Sequence, residues 1–232
     1  MSRLLLKLSG EALGGSEGFG FDHEVLNKLS LEILKVIEAG HEVGLVLGGG
    51  NLVRGKGFAE LGSDRVVGDQ MGMLATVMNA LAFSSHLTRN HVPHQVFSAA
   101  GIPGITSSYQ RSDALDCFAS GKVGLFSGGI GNPFFTTDTA ACLRGIELDC
   151  DMVIKATNVD GIYSADPKLD STAKRFDTLS FQEVIDKNLG VMDMTAVLLC
   201  RDHKMPILVC DIDEEDSLLR AANGETIGSM VN

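Results

Sequence analysis

The sequence lacks the cysteine pattern of a disulfide scaffold or a zinc site. Its five cysteines are odd in number and show neither CxxC pairing nor the spacing of zinc ligands. We therefore expect small, buried hydrophobic side chains in a reducing cytoplasm. They are Cys117, Cys142, Cys150, Cys200 and Cys210.

Long hydrophobic runs and linkers are also missing. No uninterrupted apolar run approaches the roughly 20 residues of a membrane span, and Leu4 to Leu6 before Lys7 is too short for a signal peptide. No Pro/Ser-rich tract, low-complexity block or fixed-period repeat divides the chain. We expect one domain over residues 1–232 in the cytoplasm, without a membrane partner.

Positive charge is scarce. Lys and Arg number 19 against 30 Asp and Glu, which gives a formal net charge of -11. General binding to nucleic acid or to anionic membranes depends on a dense field of Lys and Arg, so the charge argues against both functions and we expect neither partner. An anionic ligand would have to be bound locally by backbone N–H groups, a few placed cations and a metal ion.

The common nucleotide motifs are absent as well. GxxxxGK[ST] does not occur, which excludes a P-loop enzyme, and neither GxGxxG nor the HRD and DFG marks of protein kinases are found. If the chain handles phosphate, it does so with another arrangement of glycine and cation.

What is present is an alternation of short apolar runs with longer helical patterns. The runs predict strands that are covered on both faces, and the alternation predicts an α/β fold, a three-layer αβα sandwich with a mostly parallel sheet. The predicted strands are Leu4–Leu8, Val43–Leu47, His94–Ser98, Val123–Ser127, Met152–Lys155 and Ile207–Asp211. The predicted helices are 22–39, 66–90, 112–120, 138–148, 181–188, 195–203 and 214–223, and residues 156–180 are expected to form a hairpin or flap.

Three glycine-bearing loops follow predicted strands: residues 7–10 (KLSG), 48–51 (GGGN) and 128–141 (GGIGNPFFTTDTAA). Glycine lets the backbone approach a ligand closely and turn its N–H groups inward, which makes an anion-binding concavity. One such loop is often only a turn. Three in one α/β chain favour phosphate binding at the carboxyl ends of the strands.

Several charged residues near these loops are candidates with an ordinary alternative. Lys7 ends an apolar strand and would be costly to bury without an anion, although it could extend to solvent. Arg54 could reach a phosphate or remain a surface arginine. Asp138 could cap a helix, orient Lys7 or hold Mg²⁺ through water. Asp69, Asp166 and Asp193 could be surface carboxylates, and Asp69 could instead bind ribose hydroxyls.

The same ambiguity applies to the third loop. Phe134 and Phe135 are expected as core anchors rather than stacking platforms, while Thr136 and Thr137 can offer hydroxyl and N–H groups to a phosphate.

Taken together, the motifs resemble those of the bacterial uridylate kinases of the amino-acid-kinase superfamily. Matching segments follow one another in order along nearly the whole chain. They are KLSGEAL from Lys7, GGGNLVRG from Gly48, GDQMGMLATVMNA from Gly68, GNPFFTTDTAA from Gly131, KATNVDGIYSADPK from Lys155 and VMDMTA from Val191.

This resemblance implies transfer of phosphate from ATP to UMP with Mg²⁺, by a homohexamer that GTP activates and UTP inhibits, in pyrimidine nucleotide biosynthesis. Residues 1–150 would form the UMP side and residues 151–232 the ATP side. The ATP contacts carried over are Lys7, Leu8, Ser9, Gly10, Gly50, Arg54, Thr157, Tyr163 and Asp166. The UMP contacts are Gly49, Asp69, Ile130, Gly131, Asn132, Pro133, Phe134, Phe135, Thr136 and Thr137, and the effector region is Gly15, Ser16, Glu17, Gly18, Phe19 and Gly20.

For catalysis, we expect Lys7 and the N–H groups of Ser9 and Gly10 to stabilise the transferring group. Arg54 and Mg²⁺ would neutralise phosphate oxygens, Asp138 would orient Lys7, and Asp193 would be a second organiser. No protein metal ligand is assigned.

One departure from the family pattern is Ile130, where threonine is usual; we expect altered affinity or regulation and retained activity. Two alternatives stay open: a superfamily kinase acting on a carboxylate or carbamate, and a nucleotide sensor without turnover.

Overall fold

A nine-stranded, mostly parallel sheet runs through the centre of the computed structural model, which describes residues 1–53, 64–167, 169–170 and 172–232. Its strands are β1 (Arg3–Leu8), β2 (Glu42–Leu47), β3 (His94–Ser98), β4 (Ser107–Ser108), β5 (Val123–Ser127), β6 (Met152–Thr157), β9 (Thr178–Leu179), β10 (Ile207–Asp211) and β11 (Ser229–Val231). Their order is β4-β3-β5-β2-β1-β6-β10-β11-β9, and among these neighbours only β10 and β11 run antiparallel. A separate two-stranded ladder joins β7 (Ile162–Tyr163) to β8 (Arg175–Phe176).

Helices cover both faces of this sheet. They are α1 (Gly10–Leu13), α2 (His23–Glu38), α3 (Arg65–Arg89), α4 (Arg111–Ala119), α5 (Thr137–Glu147), α6 (Phe181–Asp186), α7 (Met194–His203) and α8 (Ser217–Ala222), with a 3₁₀ turn at Gly15–Glu17. Side chains of α2, α3 and α8 pack in the hydrophobic core on one face, and side chains of α4 to α7 pack in the core on the other. The predicted three-layer αβα sandwich is confirmed.

The alternation of side chains along β1 and β6 decides where two lysines point. Leu4, Leu6 and Leu8 belong to the core beneath α2, whereas Leu5 belongs to the core beneath α5. Because successive side chains of a strand point to opposite faces, Lys7 lies on the α5 side. Lys155 is the register partner of Lys7 on β6 and lies on the same side.

The six strands predicted from apolar runs are all present within a residue or two of their predicted bounds. The predicted helix ending at Ala39 is also confirmed: Gly40 takes φ +86° directly after it and donates its N–H to the Ile37 carbonyl. The hairpin expected within 156–180 is the β7–β8 ladder.

The last helix begins later than predicted. Asp216 has φ +54°, which is outside the helical region, so α8 starts at Ser217 instead of residue 214. Glu214 and Glu215 favour helix by propensity, but the left-handed turn at Asp216 overrides that preference.

Helix α3 has the length and composition of a membrane-crossing helix. Its inner face, however, carries buried polar side chains, among them Thr76 and Asn79, which bond to the loops that follow β2 and β5. This helix is therefore part of the sandwich, and its buried face positions two loops of the candidate site.

Candidate active site

A cavity of about 290 Å³ opens where the carboxyl ends of β2 and β5 meet the start of α3. Its walls come from the second and third glycine loops, from α3 and from the start of α5. The lining residues are Gly49, Gly50, Val53, Gly68, Asp69, Gly72, Met73, Thr76, Gly129, Ile130, Asn132, Phe135, Thr136 and Thr137. We call it the α3 cavity.

Glycines make this approach of loop and helix possible. A Cβ at Gly49 would lie 2.8 Å from the Gly72 carbonyl oxygen of α3, and a Cβ at Gly128 would lie 2.7 Å from Ser98 Oγ. Gly128 also has φ +75° and donates its N–H to Thr76 Oγ1 at 2.8 Å. The two glycine loops are thereby held against α3, with their backbones facing the cavity.

Asp69 holds the third loop closed over α3. Its carboxylate accepts the Phe134 N–H at 2.8 Å and pairs with Arg65 Nε at 2.8 and 2.9 Å. Phe134 has φ +71°, an uncommon value for a residue with a side chain, and Arg65 lies 5.8 Å from the centre of its ring. Asp69 thus fixes the conformation of residues around Phe134, a role that no local sequence pattern indicates, because the two residues are 65 positions apart.

The start of α5 is capped and then held by a second helix. Thr136 Oγ1 accepts the Asp138 N–H at 3.0 Å and donates its own proton to Asp193 at 2.5 Å. Asp193 also accepts the Thr139 hydroxyl at 2.9 Å and the Ala196 N–H at 3.0 Å, which caps α7. Asp193 therefore organises the N-terminus of α5, where Asp138 lies, and its role as a second organiser of the catalytic residues stays a prediction.

Asp138 joins the buried Lys7 to the half-buried Lys155. Asp138 Oδ1 lies 2.7 Å from Lys7 Nζ, and Asp138 Oδ2 lies 2.9 Å from Lys155 Nζ. Lys155 also donates to the Val191 carbonyl. Burial acts to raise the pKa of Asp138, but the two ammonium groups outweigh it and hold this pKa below its ordinary value. The Asp138 carboxylate is therefore ionised near neutral pH, and it faces two lysine side chains.

A second cavity, of about 530 Å³, lies between the ends of β6 and β10 and the segment before α7. We call it the β6 cavity. Its lining residues are Lys155, Thr157, Val159, Gly161, Ile162, Tyr163, Ser164, Ala165, Asp166, Pro167, Lys187, Asn188, Leu189, Gly190, Val191 and Val209. Thr136 and Thr137, which precede Asp138, line the α3 cavity, and its partner Lys155 lines the β6 cavity. The charged cluster thus lies between the two.

The first and second glycine loops are packed directly on one another. A Cβ at Gly10 would lie 2.5 Å from the Gly50 nitrogen, and the Gly48 N–H donates to the Leu8 carbonyl at 2.8 Å. A larger residue at position 10 would therefore push the two loops apart.

Two fully buried asparagines hold the second loop to α3. Asn79 Nδ2 donates to the Gly48 carbonyl at 2.5 Å and to Asn51 Oδ1 at 2.7 Å, and Asn51 Nδ2 donates back to Asn79 Oδ1 at 3.1 Å. Asn51 Nδ2 also donates to the Gly20 carbonyl at 2.7 Å, and the Gly20 N–H donates to the Asn51 carbonyl at 3.0 Å. The pair thereby connects residues 15–20 to the glycine loop.

The structure brings most of the predicted site residues to one of three cavities. Of the UMP contacts expected, Gly49, Asp69, Ile130, Asn132, Phe135, Thr136 and Thr137 line the α3 cavity, together with the expected ATP contact Gly50. Of the other ATP contacts, Thr157, Tyr163 and Asp166 line the β6 cavity. Gly15 and Ser16 of the expected effector region line a third cavity of about 270 Å³, shared with Leu8.

Other predicted residues do not line these cavities. Gly131, Pro133 and Phe134 do not line the α3 cavity, and Arg54 lies outside the described residues. The interpretation of Phe134 and Phe135 as core anchors is wrong, since their side chains are 66% and 45% exposed. Because the loop turns through a left-handed residue at 134, it projects these rings outward.

Sequence reasoning also missed several residues. Lys155 carries the same signal as Lys7, a charge in an apolar strand, and could have been found by it. Asn51 and Asn79 look like ordinary polar residues until the fold places them in contact. Met73 and Thr76 gave no signal beyond their place in a helical pattern.

The described part of the chain holds no group of three or more His, Cys, Asp or Glu side chains arranged as metal ligands. Asp138 is engaged with two lysines, and Asp193 with two hydroxyls and an N–H. Mg²⁺ often keeps several waters and binds through substrate phosphates, so these residues fit a metal ion that arrives with a nucleotide.

Comparison with known proteins places this geometry in a family. Residues 2–211 match the model of the amino acid kinase family. The chain is 53% identical over 229 residues to the uridylate kinase of Pseudomonas putida, covering 99% of this chain and 93% of that protein. Among solved structures it resembles the UMP kinase of Bacillus anthracis, with a TM-score of 0.96, 36% identity and coverage of 100% and 96% of the two chains. The UMP kinase of Ureaplasma parvum gives a TM-score of 0.93 at 31% identity, covering 100% and 98%. The chain therefore belongs to the amino acid kinase family and, within it, to the uridylate kinases.

Proposed function

We propose that this protein transfers the γ-phosphate of ATP to UMP, giving UDP and ADP, in pyrimidine nucleotide biosynthesis in the cytoplasm. Membership of the uridylate kinases makes it a kinase that phosphorylates UMP. The observation that carries the fuller proposal is the position of the Lys7–Asp138–Lys155 cluster between two cavities.

The α3 cavity is assigned to UMP and the β6 cavity to ATP. The α3 cavity borders the N-terminus of α5 and two glycine loops, whose N–H groups and helix dipole favour a phosphate. The β6 cavity is the larger of the two, as expected for a nucleoside triphosphate. Reacting phosphates from opposite sides would then meet near the two lysines.

The physical problem of this reaction is the repulsion between two anionic phosphates. In the proposed mechanism, an oxygen of the UMP phosphate attacks the γ-phosphorus of ATP, and the bond to the leaving ADP oxygen breaks. Lys7 and Lys155 stabilise the charge on the transferring group, while Asp138 fixes both ammonium groups in position. No general base is needed, because the attacking phosphate oxygen is already largely ionised near neutral pH.

A Mg²⁺ ion bound with ATP would neutralise part of the phosphate charge. We assign no protein carboxylate to it, for the reasons given above. Arg54, Ser9 and Gly10 remain proposed contacts of the transferring phosphate, Asp166 of ATP, and Asp69 of the UMP ribose. The Asp69 carboxylate already accepts hydrogen bonds from Arg65 and Phe134, but a carboxylate has further acceptor positions that can bind ribose hydroxyls.

Regulation by GTP and UTP is proposed to act through residues 15–20. Gly20 is hydrogen-bonded to Asn51, which in turn is bonded to Asn79 on α3. A ligand that moves the 15–20 loop would therefore shift the second glycine loop.

Assembly as a homohexamer is proposed with support from the outer face of α3. Val67, Leu74, Met78 and Leu81 recur there at helical spacing, and Leu74 and Met78 are more than half exposed. A contiguous apolar face of this kind is typical of a surface covered by another subunit. Light scattering of wild type and of Leu74→Glu tests this: we expect an assembly for wild type and smaller species for the variant.

The proposed reaction is tested by ADP release with ATP and a panel of acceptors, namely UMP, CMP, dUMP, acetylglutamate, aspartate and carbamate, each with and without GTP and UTP. We expect turnover with UMP far above that with the carboxylates and carbamate. Turnover confined to a carboxylate or carbamate would refute the UMP assignment. Binding of UMP without ADP release would indicate a nucleotide sensor.

A further inference from the structure

Side chains at the β7–β8 ladder form a hydrogen-bonded series, and the last of them, Tyr163, lines the β6 cavity. Tyr163 on β7 and Arg175 on β8 are register partners, so they lie directly opposite each other across the ladder. Tyr163 lines the cavity, whereas Arg175 does not. The link between them is Asp160, in the turn that leads into β7.

The contacts of Asp160 are specific. Tyr163 Oη donates to Asp160 Oδ1 at 2.7 Å, and Arg175 Nη1 donates to Asp160 Oδ2 at 2.9 Å. Arg175 Nη2 lies 3.3 Å from Asp177 Oδ1, which fixes the other end of the guanidinium. The hydrogen bond from Tyr163 is the first cause of a lowered pKa at Asp160, and it raises the pKa of the Tyr163 phenol. The phenol therefore keeps its proton, and the carboxylate keeps its charge, near neutral pH.

The backbone of the ladder is held independently of this series. Ser229 of β11 is fully buried, accepts the Ile162 N–H at 2.8 Å and donates to the Phe176 carbonyl. A Cβ at Gly161 would lie 2.4 Å from Ser229 Oγ, so the ladder lies directly on the sheet edge. Loss of the Arg175 side chain would leave the two Ser229 hydrogen bonds in place. The expected effect is therefore greater mobility of the Tyr163 ring and not of the ladder backbone.

We propose that Arg175 is a positioning residue for the donor nucleotide: acting through Asp160, it holds the Tyr163 ring as a wall of the β6 cavity. The inference rests on the assignment of that cavity to ATP. A fixed ring presents a flat apolar surface against which the nucleotide packs without first losing side-chain freedom. The affinity for ATP therefore depends on an arginine that lies outside the cavity.

The test compares Arg175→Met with Arg201→Met by steady-state kinetics and by calorimetric binding of ADP. Arg201 is a matched control, because it pairs with Asp202 at 2.8 Å and its side chain is 42% exposed, against 37% for Arg175. For Arg175→Met we expect KM for ATP and Kd for ADP to rise about threefold to fivefold, the scale of a partly exposed ion pair. The values of kcat and of KM for UMP should stay within twofold, and the control should match wild type.

A double-variant cycle tests the route through the ring. Tyr163→Phe removes the phenol that bonds to Asp160, so Arg175→Met should add little once it is present. If the two effects on KM for ATP multiply instead, Arg175 acts on the nucleotide directly and the positioning role is wrong. An equal rise in KM for UMP with a lowered melting temperature would indicate a purely structural role and would also overturn it.

The two assignments fail differently. If wild type neither binds ADP nor releases it from ATP, the proposed function fails. If wild type does both and Arg175→Met matches Arg201→Met, only the positioning role fails.

Discussion

Replacement of Lys7 by methionine is the most direct perturbation of the buried charge cluster. Methionine keeps an unbranched side chain of similar length but removes the ammonium group that lies 2.7 Å from Asp138. The side chains of Lys7 and Asp138 are only 10% and 12% exposed, so solvent screens this pair weakly.

The cost in stability is expected to be moderate. Removing one partner of a buried ion pair typically costs about 3–5 kcal/mol, because the other charge is left unpaired. In this cluster Lys155 still pairs with Asp138 at 2.9 Å, so the carboxylate keeps a partner. We therefore expect a loss of about 1–2 kcal/mol in the free energy of unfolding, below that range because the carboxylate is not left unpaired.

The cost in catalysis should be larger. Loss of one strong donor to the charge of a transition state lowers kcat by about a hundredfold to a thousandfold, or roughly 2.7–4 kcal/mol. We expect at least a hundredfold fall in kcat for Lys7→Met, with smaller changes in both KM values.

The assay is ADP release with UMP as acceptor, combined with urea unfolding of the same preparations. Lys35→Met serves as control: Lys35 also pairs with carboxylates, at 2.7 and 2.5 Å, but lies in the last turn of α2, which leads into the amino end of β2, whereas the site loops follow the carboxyl ends of the strands. Its kcat should equal that of wild type. A Lys7→Met enzyme with kcat within fivefold of wild type would remove Lys7 from the mechanism.

Further predictions concern the acceptor site, the asparagine pair, the pH dependence and the thiols. Asp69→Asn should raise KM for UMP with little change in KM for ATP, as measured by steady-state kinetics; equal effects on both would contradict a ribose contact. Asn79→Leu leaves the Gly48 carbonyl without its donor in a buried place, so we expect it to lose about 1–3 kcal/mol of stability in urea unfolding and to lower kcat; an unchanged unfolding midpoint would refute this. The pKa of Asp138 is lowered below 3.8, so its ionised form contributes stability that is present above that value and lost as pH falls through the lower, folded pKa. The stability difference between wild type and Asp138→Asn, from urea unfolding at pH 2 to 7, should therefore be constant above about pH 5 and shrink in acid, and a difference that is independent of pH would contradict the ion pairs. All five thiols are buried, and burial raises the pKa of the Cys117 thiol to about 11, so the folded protein should resist a thiol reagent at pH 8 and react fully in denaturant. Rapid modification of the folded protein would show that the thiols are accessible.

The fold could be predicted largely from short apolar runs. Strands buried on both faces are largely apolar, and β1, β2, β5 and β10 each contain such an apolar run, so the sequence predicts their positions. The strands β4, β7, β8 and β9 have two residues each and carry no periodic signal, because tertiary contacts rather than local sequence produce them.

The candidate site was predictable only where a residue type is unusual in its local setting. Lys7 stood out as a charge in an apolar strand, and the glycine loops stood out by composition. Lys155 carried the same signal and was overlooked, whereas the Asn51–Asn79 pair depends on contact between residues 28 positions apart. The bond from Phe134 to Asp69 spans 65 positions, and no local pattern reports it.

The register of β1 and β6 has a thermodynamic consequence. It places Lys7 and Lys155 side by side on neighbouring strands, where like charges repel, and Asp138 offsets only one of them. Two lysine side chains therefore share one carboxylate at this point of the sheet, and we expect a polyanion that binds beside them to weaken their mutual repulsion. Nucleotides that bind only the folded chain would stabilise it by mass action. We therefore expect the melting temperature of the protein to rise with the concentration of its substrates.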